Sequence, residues 1–376
     1  MKKVEVKLVN DSLGQMEVPV NAHWGARTAR WLATYRHGNM RSLERKIHPY
    51  LVDSLSLVYK TKLIVDREHS MEGASARVKI QVLDEILAGQ WREHFVLDPL
   101  MSPSGEAVLD NLNEIVESRT REILGLGPGA ETTNSIVSKL PLSGANYYFV
   151  ALKHAVLVSL KDLESCLLDL ERLVRRKSLE LEKSLRMKGK TEAIELKPAR
   201  EFNGFGNAAE RNLKKLRELR ERLLEISIPE TKEYKEQFLK EFSALSCLKP
   251  LRHGEEIVNS TLPTNSLSDL ASLSSLLKEL CLDLVRICQT LFRMNNIDQS
   301  SLVVPNLYVT CLKTISEDNC LDLALTTQVT IDGRPPLTLA GESLLGSLDG
   351  LKNALRTFNQ SFVAQVNLQE EVIVVM

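Results

Sequence analysis

The sequence predicts a mainly α protein: a bundle of about five long helices preceded by a small mixed N-terminal domain. Three observations carry this. Aromatic residues make up only 5% of the chain, and leucine fills the apolar positions instead. Leucine loses little rotamer freedom in a helix, whereas aromatic side chains lose more. Between Asn146 and Met187 there is neither glycine nor proline, a run about four times the usual helix of ~11 residues. From Ser266 to Met294, apolar residues recur in alternating steps of three and four without a miss, the spacing of helices that pack side by side.

The first 145 residues read as the mixed domain. Val4-Glu5-Val6-Lys7-Leu8-Val9 alternates as a strand does, Asn10 to Gln15 is a turn signal, and Met16-Glu17-Val18-Pro19-Val20 supplies a partner strand. Short helical patterns follow, Arg77 to Ala88 among them. Pro99, Pro103 and Gly105 mark a loop, Leu109 to Leu124 is helical, and Gly125 to Gly129 ends that helix.

Residues 146–362 read as the bundle. Phe149, Leu152, Val156, Leu160, Leu163, Leu167, Leu170, Val174 and Leu181 fall on one face of the first helix. Such a helix is roughly 60 Å long at ~1.5 Å per residue, and it is stable only with its stripe buried against neighbours. A second helix is predicted over Ala208 to Ile226, with Leu213, Leu216, Leu219, Leu223 and Ile226 as its stripe. The third begins near Ser266 and carries Leu270, Leu273, Leu277, Leu280, Leu284, Ile287, Leu291 and Met294. Two more follow, Val309 to Leu325 and Gly341 to Phe358. Residues 363–376, ending Glu370-Glu371-Val372-Ile373-Val374-Val375-Met376, read as a short strand or tail. Leu157, Leu168 and Leu276 lie off the stripes, so the helices are expected to be apolar on more than one face and to associate as a homo-oligomer, dimer or tetramer.

Composition narrows the function classes. A net charge of -1 supplies no global field for nucleic acid or an anionic membrane. No segment reaches the ~18 uninterrupted apolar residues of a membrane span, and the charged start Met1-Lys2-Lys3-Val4-Glu5 has no apolar core of a signal peptide, so a cytoplasmic protein is expected. Cys166, Cys247, Cys281, Cys288, Cys311 and Cys320 form no CxxC and read as reduced, mostly buried small apolar residues. The seven histidines are scattered and none stands at ligand spacing from a cysteine. Neither a metal nor a cofactor is expected, and no P-loop, GxGxxG or GxSxG is present.

Several stretches, in order, resemble the aspartase/fumarase/argininosuccinate lyase superfamily. Val18-Pro19-Val20-Asn21-Ala22-His23-Trp24-Gly25-Ala26-Arg27-Thr28-Ala29-Arg30 resembles its "VPxDAYYGxQTxR". Leu97-Asp98, Gly105 and Asn111-Leu112-Asn113-Glu114-Ile115 resemble its first conserved loop and the helix after it, and Thr120 to Gly125 resembles "NRALEILG". Gly189-Lys190-Thr191-Glu192 through Pro198, Glu201 and Phe202 is similar to "GRTHLQDAxP…EF". Ser300-Ser301 stands where the family carries "GSSxMPxKxN", and Ser343 to Phe358 resembles the last bundle helix. The resemblance covers roughly residues 16 to 362. It implies a tetramer with each active site built from three subunits. It also implies a reversible elimination in which a loop serine takes a proton next to a carboxylate, and hydrogen-bond donors with a lysine stabilise the product charge.

The chain departs from the pattern at every loop. The threonine and serine of "GTSxNMN" are Glu106 and Ala107, and an anionic Glu106 repels a carboxylate. "HPNDHVN" is matched only by Thr133 to Lys139, without histidine. "QSSND" is Ser143-Gly144-Ala145-Asn146-Tyr147, and the histidine of "TH" is Glu192. Ile228-Pro229-Glu230-Thr231-Lys232-Glu233 replaces a glycine-rich loop. In the last loop, Gln299 to Tyr308, the lysine is Asn306, the asparagine is Tyr308, and Val303 and Val304 stiffen the backbone. From Ser301 the chain runs to Met376, so the family's small C-terminal domain is expected to be missing.

The resemblance therefore implies a divergent lyase performing addition–elimination at a C–N or C–O bond, on a small substrate less anionic than aspartate and in a specialised pathway. Ser300, Ser301, Thr191 and Glu192 are the catalytic candidates, and Asn146, Asn306, Tyr308, Arg27 and Asn113 the substrate-binding ones. The alternative is a catalytically silent homologue that serves as structural or regulatory partner of an active lyase.

Overall fold

A computed structural model describes residues 5–36, 46–69, 73–126, 144–246, 248, 251–254, 264–293, 302–326 and 336–363. The expected hairpin is present: β1 (Val6–Asp11) pairs antiparallel with β2 (Gly14–Pro19), Val6 opposite Pro19 and Asp11 opposite Gly14. Then come α1 (Ala26–Arg36), α2 (Pro49–His69), α3 (Gly73–Leu87) and α4 (Glu106–Ile123). Two 3-10 turns, Arg92–His94 and Pro99–Met101, lie between α3 and α4. The long helices follow as α5 (Gly144–Met187), α6 (Lys197–Leu223), α8 (Thr264–Arg293), α9 (Val303–Thr326) and α10 (Leu337–Thr357), with the shorter α7 (Lys232–Ser246) between α6 and α8.

The chain is mainly α, and its stripes are core. All nine of the predicted α5 positions and every described position of the α8 stripe are buried, as are Leu213, Leu216, Leu219 and Leu223 on α6. Met294 lies outside the described residues, as do the tail beyond 363 and the segment Thr133 to Lys139.

Several elements differ from the sequence expectation, among them α7, which is not expected from the sequence. α6 starts at Lys197 rather than Ala208. Its first turns contain Pro198, Gly204 and Gly206, residues that mask a helical pattern, although proline is tolerated in a first turn. Ile226 lies beyond that helix, in the two-residue strand β3 (Glu225–Ile226), which pairs in parallel with β4 (Arg252–His253). The stretch expected to be a stiffened loop through Tyr308 is already helical from Val303, and Asn306 N–H donates to Leu302 O at 2.9 Å.

The chain falls into two compact units. The first comprises residues 1–155, 224–267 and 324–342, the second 156–223, 268–323 and 343–376. In the first, every residue from Asn146 to Ala155 is buried, so this end of α5 is a central element. α7 covers it with Phe238 and Phe242, the former edge-on to Tyr147 at 6.0 Å.

In the second unit, ion pairs set the antiparallel register of α6 on α8: Arg211 with Asp283 (2.6 Å), Lys215 with Glu279 (2.5 Å) and Arg222 with Asp269. Arg220 reaches Glu164 of α5 (2.6 Å), and the buried Asp318 of α9 accepts from Ser274 (2.6 Å) and Lys278 (2.9 Å) of α8. Most of these cations are half exposed, so the pairs fix register more than they stabilise. Cys166, Cys281, Cys288 and Cys311 are buried thiols.

Candidate functional site

The segment Asn21 to Arg30 is positioned by a carboxylate from another helix. Glu114 of α4 accepts from the backbone N–H groups of Gly25 (2.8 Å), Arg27 (2.8 Å) and Thr28 (3.1 Å), and so caps the start of α1. A Cβ on Gly25 would lie 2.8 Å from Glu114 Oε1, so only glycine permits this approach. Arg27 donates to Asp110 (3.0 Å), which also accepts from Trp31 Nε1 (3.1 Å). Arg30 binds Asp11 through two nitrogens (3.1 and 2.8 Å) and holds its carboxyl below the usual carboxylate range. Replacing Glu114 with alanine leaves three amides without their acceptor. A loss of about 2–3 kcal/mol is expected in urea unfolding.

The first loop is held by local bonds. Asp98 caps the turn at Leu100 N (2.9 Å), and Ser102 Oγ accepts from Ala107 N (3.0 Å). Thr338 donates to Ser102 O (2.8 Å) and, through its N–H, to Pro103 O (3.1 Å). Gly105 has φ +89° and lies against the ring of Tyr148. The Tyr148 hydroxyl is buried and has no hydrogen-bond partner. Burial first, then the charges of Glu342 and Glu106, push it well above the ordinary phenol range. Two residues earlier on α5, Asn146 is buried and its Oδ1 also lacks a partner. The Asn113 Oδ1 on α4 is in the same state. A buried acceptor left unpaired costs on the order of 1–3 kcal/mol, and each is open to a donor from outside the chain.

A hydrogen-bonded chain runs from the neighbouring residue of α5, Tyr147. The Tyr147 hydroxyl donates to Glu230 (2.8 Å), that of Tyr234 donates to Asp66 (2.8 Å), and Lys62 donates to Asp66 (2.8 Å). The Lys62 ammonium lies over both tyrosine rings, at 6.0 and 5.6 Å. Desolvation, with the neighbouring carboxylates behind it, raises both hydroxyls and keeps them donors. Sequence reasoning passed over this chain. The available signal was that Tyr147 and Glu230 both replace residues of the lyase loops.

The remaining candidates belong to the second unit. Thr191 and Glu192 are exposed in the turn after α5, and their N–H groups donate to Glu195 (2.9 and 3.1 Å). Asn306 is exposed on α9, and its carbonyl accepts from Thr310 Oγ1 (2.8 Å). Tyr308 is half-buried, edge-on to Phe292 at 6.1 Å. Ser300 and Ser301 lie outside the described residues. Thus Arg27, Asn113 and Asn146 share one unit, and Thr191, Glu192, Asn306 and Tyr308 the other. Among the described residues, no three His, Cys, Asp or Glu side chains are grouped to hold a metal, and no helix is long and apolar enough to cross a membrane.

A family profile described as "Lyase" matches residues 14–304. The chain belongs to the aspartase/fumarase superfamily of lyases. It is 24% identical to an aspartate ammonia-lyase of Bacillus subtilis (strain 168) over 284 residues, 71% of this chain and 58% of that enzyme. It is 33% identical to a class II fumarate hydratase of Thermosynechococcus vestitus over 129 residues, 34% of this chain and 27% of that enzyme. The chain thus spans well under two thirds of these curated relatives. Among solved structures, a fumarate lyase:delta crystallin from Brucella melitensis superposes with a TM-score of 0.84 at 19% identity, covering 98% of this chain and 90% of that one. What this lyase-fold chain retains of the N-terminal family motif is what holds its scaffold. Gly25 and Thr28 receive the Glu114 cap, and Arg30 ties α1 to the hairpin.

Proposed function

We propose that this chain is a divergent lyase that performs addition–elimination at a C–N or C–O bond of a small substrate less anionic than aspartate or malate. One observation carries the reading. Where the family pattern places hydroxyls for a carboxylate, Glu106 stands at the loop packed on Tyr148. Glu342 acts on the same hydroxyl, and the unpaired Asn146 Oδ1 is on the same helix end. The Glu106 and Glu342 carboxylates repel a carboxylate and the Asn146 Oδ1 accepts rather than donates, which suits a substrate that brings its own N–H or O–H. Ser300 and Ser301 are the proposed proton-transfer candidates, with Thr191 and Glu192 beside them in role and Asn113, Asn306, Tyr308 and Arg27 as binding groups.

A second reading has its own support. Arg27 is occupied by Asp110, Glu192 is solvated, and Asn306 faces outward on a helix. This is the pattern of a catalytically silent homologue that serves as partner to an active lyase. Either role fits a cytoplasmic homo-oligomer, dimer or tetramer. α9 exposes Val309, Leu312 and Leu323, Leu302 is exposed just before it, and α8 exposes Leu282 and Phe292, apolar surface of the kind that marks association.

The test is direct. The pure protein is incubated with aspartate, fumarate plus ammonia, malate and argininosuccinate, and the absorbance of the conjugated double bond is followed. No turnover is expected. Turnover of any of these overturns the less anionic substrate, and elution as a monomer in size exclusion overturns the association.

A further inference from the structure

The segment between β2 and α1 is held by a second device, built from residues that the lyase reading does not use. His23 lies against the indole of Trp91, with ring centroids 4.6 Å apart, and edge-on to His94 at 4.8 Å. The backbone N–H of His23 donates to His94 Nδ1 (3.4 Å), and Ser118 Oγ meets His23 Nδ1 (3.4 Å). Trp91 is itself fixed. Its φ is +63°, its Nε1 donates to Glu85 (2.9 Å), and the Arg119 guanidinium covers it at 5.0 Å. Lys7 of β1 closes the cluster by donating to Ala22 O (2.8 Å).

We propose that the His23–Trp91–His94 stack is an acid-labile clasp that fixes residues 20–25 at neutral pH and releases them when its imidazoles take up protons.

The bond to His94 dictates the behaviour. Nδ1 accepts the His23 N–H only while it carries no proton, so neutral His94 has its hydrogen on Nε2. Protonation places an N–H on Nδ1, facing the N–H it formerly accepted. Burial and the neighbouring cations act in the same direction, opposed by Glu122 at His23 and Glu93 at His94. Burial first, then His94, Lys7 and Arg119, disfavour a charge on His23, and only Glu122 favours it. Burial and Lys7 disfavour a charge on His94, against Glu93. The folded-state values therefore lie below the free value of 6.5, so the clasp is intact above that pH and weakens as pH falls beneath it. The lyase motif has tyrosine where this chain has His23, so the titrating pair is a property of this chain.

Hydrogen exchange of the full chain, read as protection factors at pH 7.5 and 5.0, tests the clasp. The amides of residues 20–30 are expected to lose at least tenfold in protection at pH 5.0, while those of 146–157 hold theirs. His94→Asn keeps an acceptor in the Nδ1 position without titrating, so only His23 is left to take up a proton and the acid loss is expected to be smaller than in the native chain. His23→Tyr leaves the His94 bond in place and is expected to keep the acid loss, at a higher midpoint because one competing charge is gone. Constant protection in the native chain, an undiminished loss in His94→Asn, no loss in His23→Tyr, or an equal loss across 146–157 would each overturn the proposal.

Discussion

Replacing Gly105 with alanine is expected to destabilise the protein by about 2–4 kcal/mol. Two independent costs add. The backbone there sits at φ +89°, where a Cβ costs roughly 1 kcal/mol. The Cβ would also lie 2.4 Å from Tyr148 Cδ2, and overpacking a closed core costs typically 1–3 kcal/mol. Tyr148 has no room to retreat, since it is fully buried at the N-terminal end of α5. Urea unfolding at neutral pH measures the loss. Gly105→Ala with Tyr148→Leu should recover part of it, because the shorter side chain removes the clash and leaves the backbone term. A single variant as stable as the parent would show that the loop does not rest on this ring.

The second large effect is acid loss of stability through His154. Ser54 Oγ donates to Tyr50 O and meets His154 Nδ1 at 2.8 Å. The serine hydrogen is thus committed, so His154 must donate from Nδ1, and its bare Nε2 is buried without a partner. A proton taken up there has no acceptor. Burial lowers the His154 value from 6.5 to about 4. The sign follows. The unfolded chain binds the proton from pH 6.5 downward and the folded chain only near 4, so stability is full above 6.5 and is lost across that window. At ~1.4 kcal/mol per unit of pKa, the loss is about 3 kcal/mol. Unfolding free energies measured from pH 7.5 to 4.5 check it, with His154→Leu expected to flatten the curve by most of that amount, about 2.5 kcal/mol. An unchanged slope in the variant would assign the acid loss elsewhere.

These two positions show what is legible in the sequence. The α8 stripe is periodic and uninterrupted, and every described member is core, because a leucine at three-and-four spacing has one face to bury and no other task. α7 gave no such signal. Its helix is short, and only Phe238, Leu239 and Phe242 are buried. The site is harder to read because its logic is non-local. Glu230 becomes meaningful only once Tyr147 is seen to donate to it across 83 residues of sequence, and Glu114 only once it is seen to cap a helix far upstream. The family pattern marked Arg27 as a binding group without revealing that Asp110 is its partner. Asn146 stands out in the sequence for the opposite reason: it persists inside an otherwise rewritten motif, and the fold buries it with an unpaired oxygen.

The cap that Glu114 supplies also governs the order of assembly. α1 begins without a side chain of its own to receive its first amides. The carboxylate that does so arrives from 86 to 89 residues further along the chain. An eleven-residue helix is marginal in isolation, so α1 has little reason to persist until α4 has docked. Contacts separated this widely are formed late, after the loop between them has been closed. Damage to the Glu114 cap therefore speeds escape from the native state far more than it slows arrival there. The N-terminal segment is the first part of the sequence and among the last to settle.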